Sequence, residues 1–211
     1  MIYTVTMNPS LDYLLSLPAL QAGETNRSAA ERLVAGGKGI NVSKMLYNLG
    51  TDSIIWGFAG GFSGEELCRQ LTAAGLRQEL IFLHNGNTRI NVKLSAGQET
   101  EVNAKGPQAE EEALQIFYRR LEALTAEDYV VLSGSLLPGM PCNSYRQIMQ
   151  QLQGRGVHFI VDTTGESLRE TLPLHPFLIK PNQRELEELF KTELTQRSQV
   201  CLLYTSDAAD E

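Results

Sequence analysis

The sequence has 211 residues, a net charge of −7 and 42% hydrophobic residues, values typical of an ordinary soluble globular protein. The acidic balance argues against broad non-specific binding to nucleic acid, and no apolar run approaches the ~18 residues that a membrane span needs. The first residues lack the basic and apolar regions of a signal peptide. Cys68, Cys142 and Cys201 are odd in number and lack C-x-x-C spacing, so we expect a cytoplasmic protein without disulfides or a zinc site.

Strand-like and helix-like segments alternate along most of the chain. The patterns predict strands over 2–7, 53–58, 129–132, 157–161 and 177–179, and helices over 40–49, 64–74, 109–124, 144–152 and 183–190. Ser63 is the predicted N-cap of the second of these helices. The alternation predicts an α/β fold, with a doubly wound, mostly parallel sheet and helices on both faces.

Two regions interrupt this alternation. Short strands are predicted over 13–17 and 27–35, and again over 88–95 and 99–104, without helices between them. In the third of these segments polar and apolar residues interleave, which indicates one wet and one apolar face. We expect the four strands to form a small β-lid over one edge of the core.

The strongest local motif is the run Gly-Gly-Lys-Gly-Ile-Asn-Val-Ser over residues 36–43. Its glycines let the backbone approach a ligand, and the N-terminus of the helix that follows favours an anion. Lys38 adds a positive charge, and Asn41 can pair with a hydroxyl. The run lacks the Ser or Thr of a Walker A loop and the third glycine of a dinucleotide fingerprint. A tight turn before a helix is the alternative interpretation.

Two further motifs provide groups that suit a sugar phosphate. Asp12 follows the first strand, where a carboxylate can accept from sugar hydroxyls, although a turn or a cap would also explain it. Arg89, Asn91 and Lys93 share one face of a predicted strand, and the fork of an arginine suits phosphate. Taken alone, the strand is better interpreted as a solvated strand of the lid.

Polar groups recur directly after three successive strands. Ser133 follows the first of them, Asp162 the second and Lys180 the third. Asn182 and Glu185 come next, three residues apart on one helical face, where they could hold the water shell of a magnesium ion. The same pair could instead form a capping box at the start of the helix. Recurrence at neighbouring strand ends favours a shared site.

Taken together, these blocks resemble the PfkB, or ribokinase-like, family of carbohydrate kinases. The blocks that carry the resemblance, in the order and spacing of the family, are 8–13, 36–43, 57–64, 88–94, 133–139, 162–166 and 180–185. The resemblance covers residues 1–199. It is strongest to the bacterial members that phosphorylate fructose 1-phosphate, because of the blocks Asn-Pro-Ser-Leu-Asp-Tyr, Gly-Gly-Lys-Gly-Ile-Asn-Val-Ser and Thr-Arg-Ile-Asn-Val-Lys.

The resemblance implies a set of roles. The sugar phosphate would be held by Asp12, Gly37, Lys38, Asn41 and Arg89, assisted by Arg27, Lys93 and Ser133. ATP and its Mg²⁺ would be served by Asp162, Lys180, Asn182 and Glu185, with Asn182 and Glu185 reaching the metal through water. A homodimer formed through the β-lid is also implied.

The chain departs from the family pattern in two places. Ala104-Lys105 stands where close relatives show a glycine-containing turn, which bears on the geometry of the lid. The Gly-Ala-Gly-Asp motif, which carries the catalytic base and the anion hole of the family, is absent from the sequence. Residues 200–211 continue no earlier pattern and resemble a non-native, adapter-derived tail. We therefore expect a fold that is incomplete at its C-terminus and lacks the catalytic aspartate.

The expected activity of the complete kinase is ATP-dependent conversion of fructose 1-phosphate to fructose 1,6-bisphosphate. A related kinase for tagatose 6-phosphate or fructose 6-phosphate remains an alternative, as does a non-catalytic sugar-phosphate-binding protein. A nicotinamide oxidoreductase is disfavoured by the missing third glycine.

Overall fold

A computed structural model describes residues 1–194, in which the chain folds into two sheets flanked by helices. The strands are β1 (Ile2–Thr6), β2 (Ser10–Ser16), β3 (Ala30–Gly36), β4 (Ile54–Gly60), β5 (Arg77–Leu83), β6 (Arg89–Ser95), β7 (Glu99–Val102), β8 (Tyr129–Ser133), β9 (His158–Asp162) and β10 (Leu178–Ile179). The helices are α1 (Lys38–Asn48), α2 (Gly61–Ala73), α3 (Glu111–Leu121), α4 (Ser144–Gln151), α5 (Gly165–Thr171) and α6 (Gln183–Phe190), with a 3-10 turn at Leu172–Leu174.

The larger sheet has the strand order β10-β9-β8-β1-β4-β5, and all of its pairs are parallel. The smaller sheet has the order β3-β2-β6-β7 and is mixed, because β2 pairs antiparallel with β3 and parallel with β6. The predicted α/β class, with a mostly parallel sheet and a second small β-sheet, is therefore confirmed.

Successive residues of β4 explain why both faces of the larger sheet are covered. Trp56 and Phe58 pack with Phe117 of α3 in one apolar cluster, whereas Ile55 packs with Ile40 of α1 in another. Side chains alternate between faces along a strand, so the continuous apolar run of β4 needs helices on each side. All seven residues of β4 are buried.

Three details of the sequence prediction were wrong. Ser63 is not an N-cap, because α2 already begins at Gly61 after the N-cap Gly60, and the Ser63 hydroxyl donates to the Thr88 carbonyl at 2.6 Å. Strand β5 and helix α5 were missed. Strand β5 begins with polar residues, so its short apolar end did not indicate a strand. Helix α5 has only seven residues, too few for a clear helical period.

The smaller sheet also differs from its predicted limits at two functional positions. Strand β2 begins at Ser10 rather than at Tyr13, so Asp12 lies within the strand. Strand β3 begins at Ala30 rather than at Arg27, so Arg27 lies in the connection between β2 and β3. The predicted tail at 200–211 falls outside the residues that the structure describes. Within residues 1–194, none of the helices has the length and apolar character that a membrane crossing requires.

Candidate functional site

Polar side chains meet at the carboxyl edge of the larger sheet. Thr6 at the end of β1 is paired in register with Ser133 at the end of β8, and Ser133 is paired with Asp162 at the end of β9. Paired residues of parallel neighbours point to the same face, so the three side chains form a row. The row lies against the N-terminal end of α1, where Lys38 packs over Gly134. Ligands of open α/β sheets bind at such an edge.

Two glycines of the 36–43 motif, Gly37 and Gly39, are required by close packing around Thr6. Gly37 is the N-cap of α1 with φ of 128°, and an added Cβ would lie 2.9 Å from Thr6 Cγ2. At Gly39 an added Cβ would overlap Thr6 Oγ1. The first main-chain bond within α1 runs from the Asn41 amide to the Gly37 carbonyl, at 2.9 Å. The amides of residues 38–40 therefore precede the helical ladder and favour an anion.

Asp12 lies within β2, among polar side chains of the smaller sheet. Its Oδ1 accepts from Ser10 Oγ at 2.7 Å and from Asn91 Nδ2 at 3.0 Å, and its Oδ2 lies 3.1 Å from Lys93 Nζ. Burial opposes ionisation, but the hydrogen bonds from Ser10, Lys93 and Asn91 outweigh it and hold the pKa of Asp12 below its ordinary value. Asp12 is therefore an ionised acceptor at neutral pH.

Arg89 at the start of β6 donates hydrogen bonds to two main-chain carbonyls, which fix the position of its guanidinium. Its Nε donates to the Asn8 carbonyl at 3.1 Å, and its Nη1 donates to the Ala104 carbonyl at 3.4 Å. Burial lowers the pKa of Arg89, and Asp12 opposes that shift, but a guanidinium remains charged in either case. Its other N–H groups are suited to an anion.

Lys38 joins α1 to two carboxylates from distant parts of the chain. Its Nζ lies 3.2 Å from Asp162 Oδ1 and 3.2 Å from Glu185 Oε1, while Lys180 Nζ lies 3.3 Å from the same Asp162 oxygen. Burial would lower the pKa of Lys38, but Asp162 and Glu185 raise it above the ordinary value. Two ammonium groups thus balance two largely buried carboxylates, and we call Lys38, Asp162, Lys180 and Glu185 the charge quartet.

Asn182 and Glu185 form a capping box at the start of α6, the alternative that the sequence had left open. Asn182 Oδ1 accepts from the Glu185 amide at 3.0 Å, and Glu185 Oε2 accepts from the Asn182 amide at 2.8 Å. The cap leaves Glu185 Oε1 facing Lys38. Asn182 therefore orients Glu185, whatever else it binds.

The remaining predicted residues, Asn41, Ser133 and Arg27, differ in their burial and in their contacts. Asn41 is exposed in the first turn of α1, and Ser133 is fully buried with a hydroxyl that has no hydrogen-bond partner among residues 1–194. Arg27 is exposed and makes no hydrogen bond or ion pair with the other predicted site residues in the described chain. The structure thus brings together Asp12, Arg89 and Lys93 in one group and the charge quartet in another, and Gly37 directly precedes Lys38 of the quartet.

Sequence reasoning missed several residues of the site. Ser10 lies two residues before Asp12 on the same strand, and that period of two was the available signal. Asn8 was named only as the start of the block 8–13, but its Nδ2 donates to the carbonyls of Lys105 and Leu136, at 2.8 and 3.2 Å. These bonds connect β1 with the segments that follow β7 and β8. Only tertiary contacts could reveal them.

Several buried polar atoms of this region have no partner. Among residues 1–194, buried side-chain atoms without a hydrogen bond occur at Thr6, Asn8, Asn91, Ser133 and Asn143. The first four belong to residues in or beside the groups described above. Unpaired buried groups cost stability, so their concentration here is typical of a functional region.

The chain is similar to carbohydrate kinases by both sequence and structure. The model of the pfkB family carbohydrate kinases matches residues 5–205. The chain is 40% identical over 195 residues to 1-phosphofructokinase of Bacillus subtilis (strain 168), covering 92% of the chain and 64% of that protein. It is 40% identical over 194 residues to 1-phosphofructokinase of Borreliella burgdorferi, covering 92% of the chain and 62% of that protein.

A solved structure has the same fold. Phosphofructokinase-2 from Escherichia coli, in complex with substrates and products, superposes with a TM-score of 0.88 at 30% identity, covering 94% of the chain and 66% of that structure. The chain spans less than two thirds of the length of these relatives.

Proposed function

Because this chain belongs to the PfkB family of carbohydrate kinases, we propose that it carries the sugar-phosphate and nucleotide sites of an enzyme that transfers phosphate from ATP to the 6-hydroxyl of fructose 1-phosphate. The observation that carries this proposal is the charge arrangement. Asp12, Arg89 and Lys93 offer an acceptor and two cations on the smaller sheet, and the charge quartet lies at the carboxyl edge of the larger one.

On the sugar side, Asp12 accepts from ketose hydroxyls while Arg89 and Lys93 bind the phosphate. Arg89 suits this role because two carbonyls already fix its plane, so little rotamer freedom is lost on binding. Gly37, Lys38 and Asn41 add main-chain and side-chain contacts from the start of α1. Arg27 and Ser133 assist, with Arg27 reaching in from its exposed connection.

On the nucleotide side, Lys180 would bind phosphates of ATP, and Asn182 and Glu185 would hold the associated Mg²⁺ through water, with Asp162 beside them. Lys38 contacts Asp162 and Glu185 from the sugar-phosphate side. The donor set fits such an ion only in part. Among the described residues no group of three or more His, Cys, Asp or Glu side chains could hold a metal, so water and phosphate oxygens would complete the shell. When bound, Mg²⁺ would neutralise charge on the transferring phosphate.

The attacking hydroxyl needs a base, and a positioned base contributes typically about 10²–10⁴-fold to such a reaction. The Gly-Ala-Gly-Asp motif that supplies it in the family is absent from the 211 residues. We therefore propose that the chain by itself binds ligands but has no measurable kinase activity.

A kinase for fructose 6-phosphate is the second candidate, favoured by the close superposition on phosphofructokinase-2. The higher identity to the two 1-phosphofructokinases, 40% against 30%, favours fructose 1-phosphate. A homodimer through the smaller sheet and a cytoplasmic location belong to the same proposal. A groove of about 480 Å³ along that sheet, with Arg32, Lys93, Glu99 and Glu101 in its lining, offers charges of both signs to a second copy.

Calorimetric titration of the 211-residue chain tests the proposed substrate. Fructose 1-phosphate should bind more tightly than fructose 6-phosphate or tagatose 6-phosphate, and unphosphorylated fructose should bind weakest. A reversed order would assign the chain to a sibling activity, and equal binding of fructose and its phosphates would contradict the phosphate site.

A coupled assay of ADP release tests the proposed chemistry. The chain alone should release no ADP with Mg-ATP and fructose 1-phosphate. A chimera that joins residues 1–194 to the remaining C-terminal part of the Bacillus subtilis relative should release it. A chimera that binds the sugar phosphate but shows no turnover would favour a non-catalytic binding protein.

A further inference from the structure

Asn91 lies beside Asp12 in a geometry that the sheet imposes. Strands β2 and β6 are parallel neighbours, and their register pairs Asp12 directly with Asn91. The two side chains therefore share one face, and Asn91 Nδ2 donates to Asp12 Oδ1 at 3.0 Å. Asn91 is 6% exposed, so this bond lies largely out of water.

The orientation of the Asn91 side-chain amide leaves its oxygen without a hydrogen bond. Its Oδ1 is buried and has no hydrogen-bond partner among residues 1–194. A buried acceptor without a donor lowers stability, whereas an apolar group of the same shape would carry no such cost. The gain that offsets this cost is the bond to Asp12.

The Asp12 carboxylate is thereby fixed asymmetrically. Ser10 and Asn91 both donate to Oδ1, while Oδ2 faces Lys93 Nζ. Gly36 leaves space for this arrangement, because an added Cβ would lie 2.7 Å from both Asp12 Oδ1 and Ser10 Oγ. A carboxylate has about four acceptor positions, so one remains beside Oδ2 for a further donor such as a hydroxyl.

We infer that Asn91 is a positioning residue for Asp12, which it holds with Oδ1 engaged by the protein and Oδ2 presented to the hydroxyl groups of the sugar phosphate. This inference rests on the proposed function of Asp12. It assigns to Asn91 a role in ligand affinity that is separable from its role in stability.

The test uses Asn91→Leu, an isosteric change that removes both the bond to Asp12 and the unpaired oxygen. The midpoint of thermal unfolding should change little, because removal of the unpaired Asn91 oxygen offsets the loss of the bond to Asp12. Calorimetric affinity for fructose 1-phosphate should fall roughly tenfold or more, as expected for loss of a charged hydrogen bond that orders a binding group. A matched control is Asn143→Leu, which removes another buried unpaired oxygen outside the proposed site and should leave affinity unchanged.

A second variant, Asn91→Asp, gives a readout that a purely structural role would not produce. It places a second carboxyl against Asp12, and two such groups share a proton with a raised pKa. The charged groups facing this position are Lys93 and Arg89 on β6 and Lys44 on α1. Affinity of the variant for fructose 1-phosphate should improve as the pH is lowered relative to the unmodified chain, measured over the same range.

The outcomes separate the two proposals. If the unmodified chain binds fructose 1-phosphate and Asn91→Leu binds it equally well, the positioning role is wrong and the proposed function stands. A large fall in the unfolding midpoint of Asn91→Leu with unchanged affinity would make Asn91 a structural residue only. If the unmodified chain binds no sugar phosphate, the proposed function fails and this inference fails with it.

Discussion

Lys38 and Asp162 form an ion pair of 3.2 Å across 124 residues of sequence, and the pair joins the glycine-rich turn before α1 to the end of β9. Glu185 completes a bridge from the same ammonium group to α6. A residue assigned to the sugar-phosphate side by resemblance is thus in direct contact with two residues assigned to the nucleotide side. Removal of the Lys38 charge should therefore change the affinity of the nucleotide side for its ligands.

The first prediction concerns Lys38→Met. Without this ammonium group, Asp162 keeps only Lys180 as an ionic partner and Glu185 keeps none among residues 1–194, so the local charge becomes more negative. Affinity for free Mn²⁺, measured by electron paramagnetic resonance, should rise several-fold, while affinity for tripolyphosphate should fall. Lys44→Met is the matched control on the same helix. The Lys44 ammonium group donates to the Ala35 carbonyl and makes no ion pair with Asp162 or Glu185 among residues 1–194. Unchanged Mn²⁺ binding in Lys38→Met would show that the carboxylates do not act as a cation site.

The second prediction concerns Arg89→Ala. Loss of its fork should weaken binding of fructose 1-phosphate by about 1.5–3 kcal/mol, the range for charged hydrogen bonds. Binding of Mg-ADP should change little, because the nucleotide side uses other cations. The exposed Arg77 at the start of β5 provides the control Arg77→Ala. Equal calorimetric affinities for the sugar phosphate in both variants would remove Arg89 from the site.

The third prediction follows from the lowered pKa of Asp12. A carboxyl with a depressed folded-state pKa stabilises the fold above its unfolded pKa, and this contribution is lost as the pH falls through the folded value. Urea unfolding should therefore find Asp12→Asn less stable than the unmodified chain at about pH 5 to 7. The difference should shrink below pH 3.8, the ordinary value for this group.

Asp52→Asn serves as the control for that measurement, because Asp52 is exposed and makes no ion pair within the described chain. A stability difference for Asp12→Asn that is constant with pH would mean that ionisation of Asp12 does not contribute to folding.

The fourth prediction concerns Gly39→Ala. Alanine favours a helix, so a loss of stability here would report the contact rather than helix propensity. An added Cβ would overlap Thr6 Oγ1 and lie 3.0 Å from the Val5 carbonyl, and overpacking of this kind costs about 1–3 kcal/mol. Adding Thr6→Ala should recover part of the loss in a double-mutant cycle. Strict additivity of the two changes would place the strain elsewhere.

Much of the architecture could be predicted from the sequence, because hydrophobic periodicity is a local property. The buried run of β4 and the amphipathic pattern of α3 indicate an α/β layer structure without any tertiary information. The same reasoning failed for β5, because its first residues are polar. Its strand conformation is evident only from its pairing with β4. Boundaries such as that of β3 also depend on pairing, so Arg27 was wrongly placed in a strand.

For the candidate site, too, some features could be predicted from the sequence and others depend on the tertiary structure. The sequence by itself determined which groups occur at strand ends and helix starts, including Ser133, Asp162 and Lys38, because these positions are fixed by neighbours a few residues apart. It left alternative interpretations for Asp12, which lies within β2, and for the capping box of α6. Only the tertiary structure decided their partners. The ion pair of Lys38 with Asp162 and the bond of Asn91 to Asp12 depend on strand order and register, which bring residues 79 to 124 positions apart within hydrogen-bond distance.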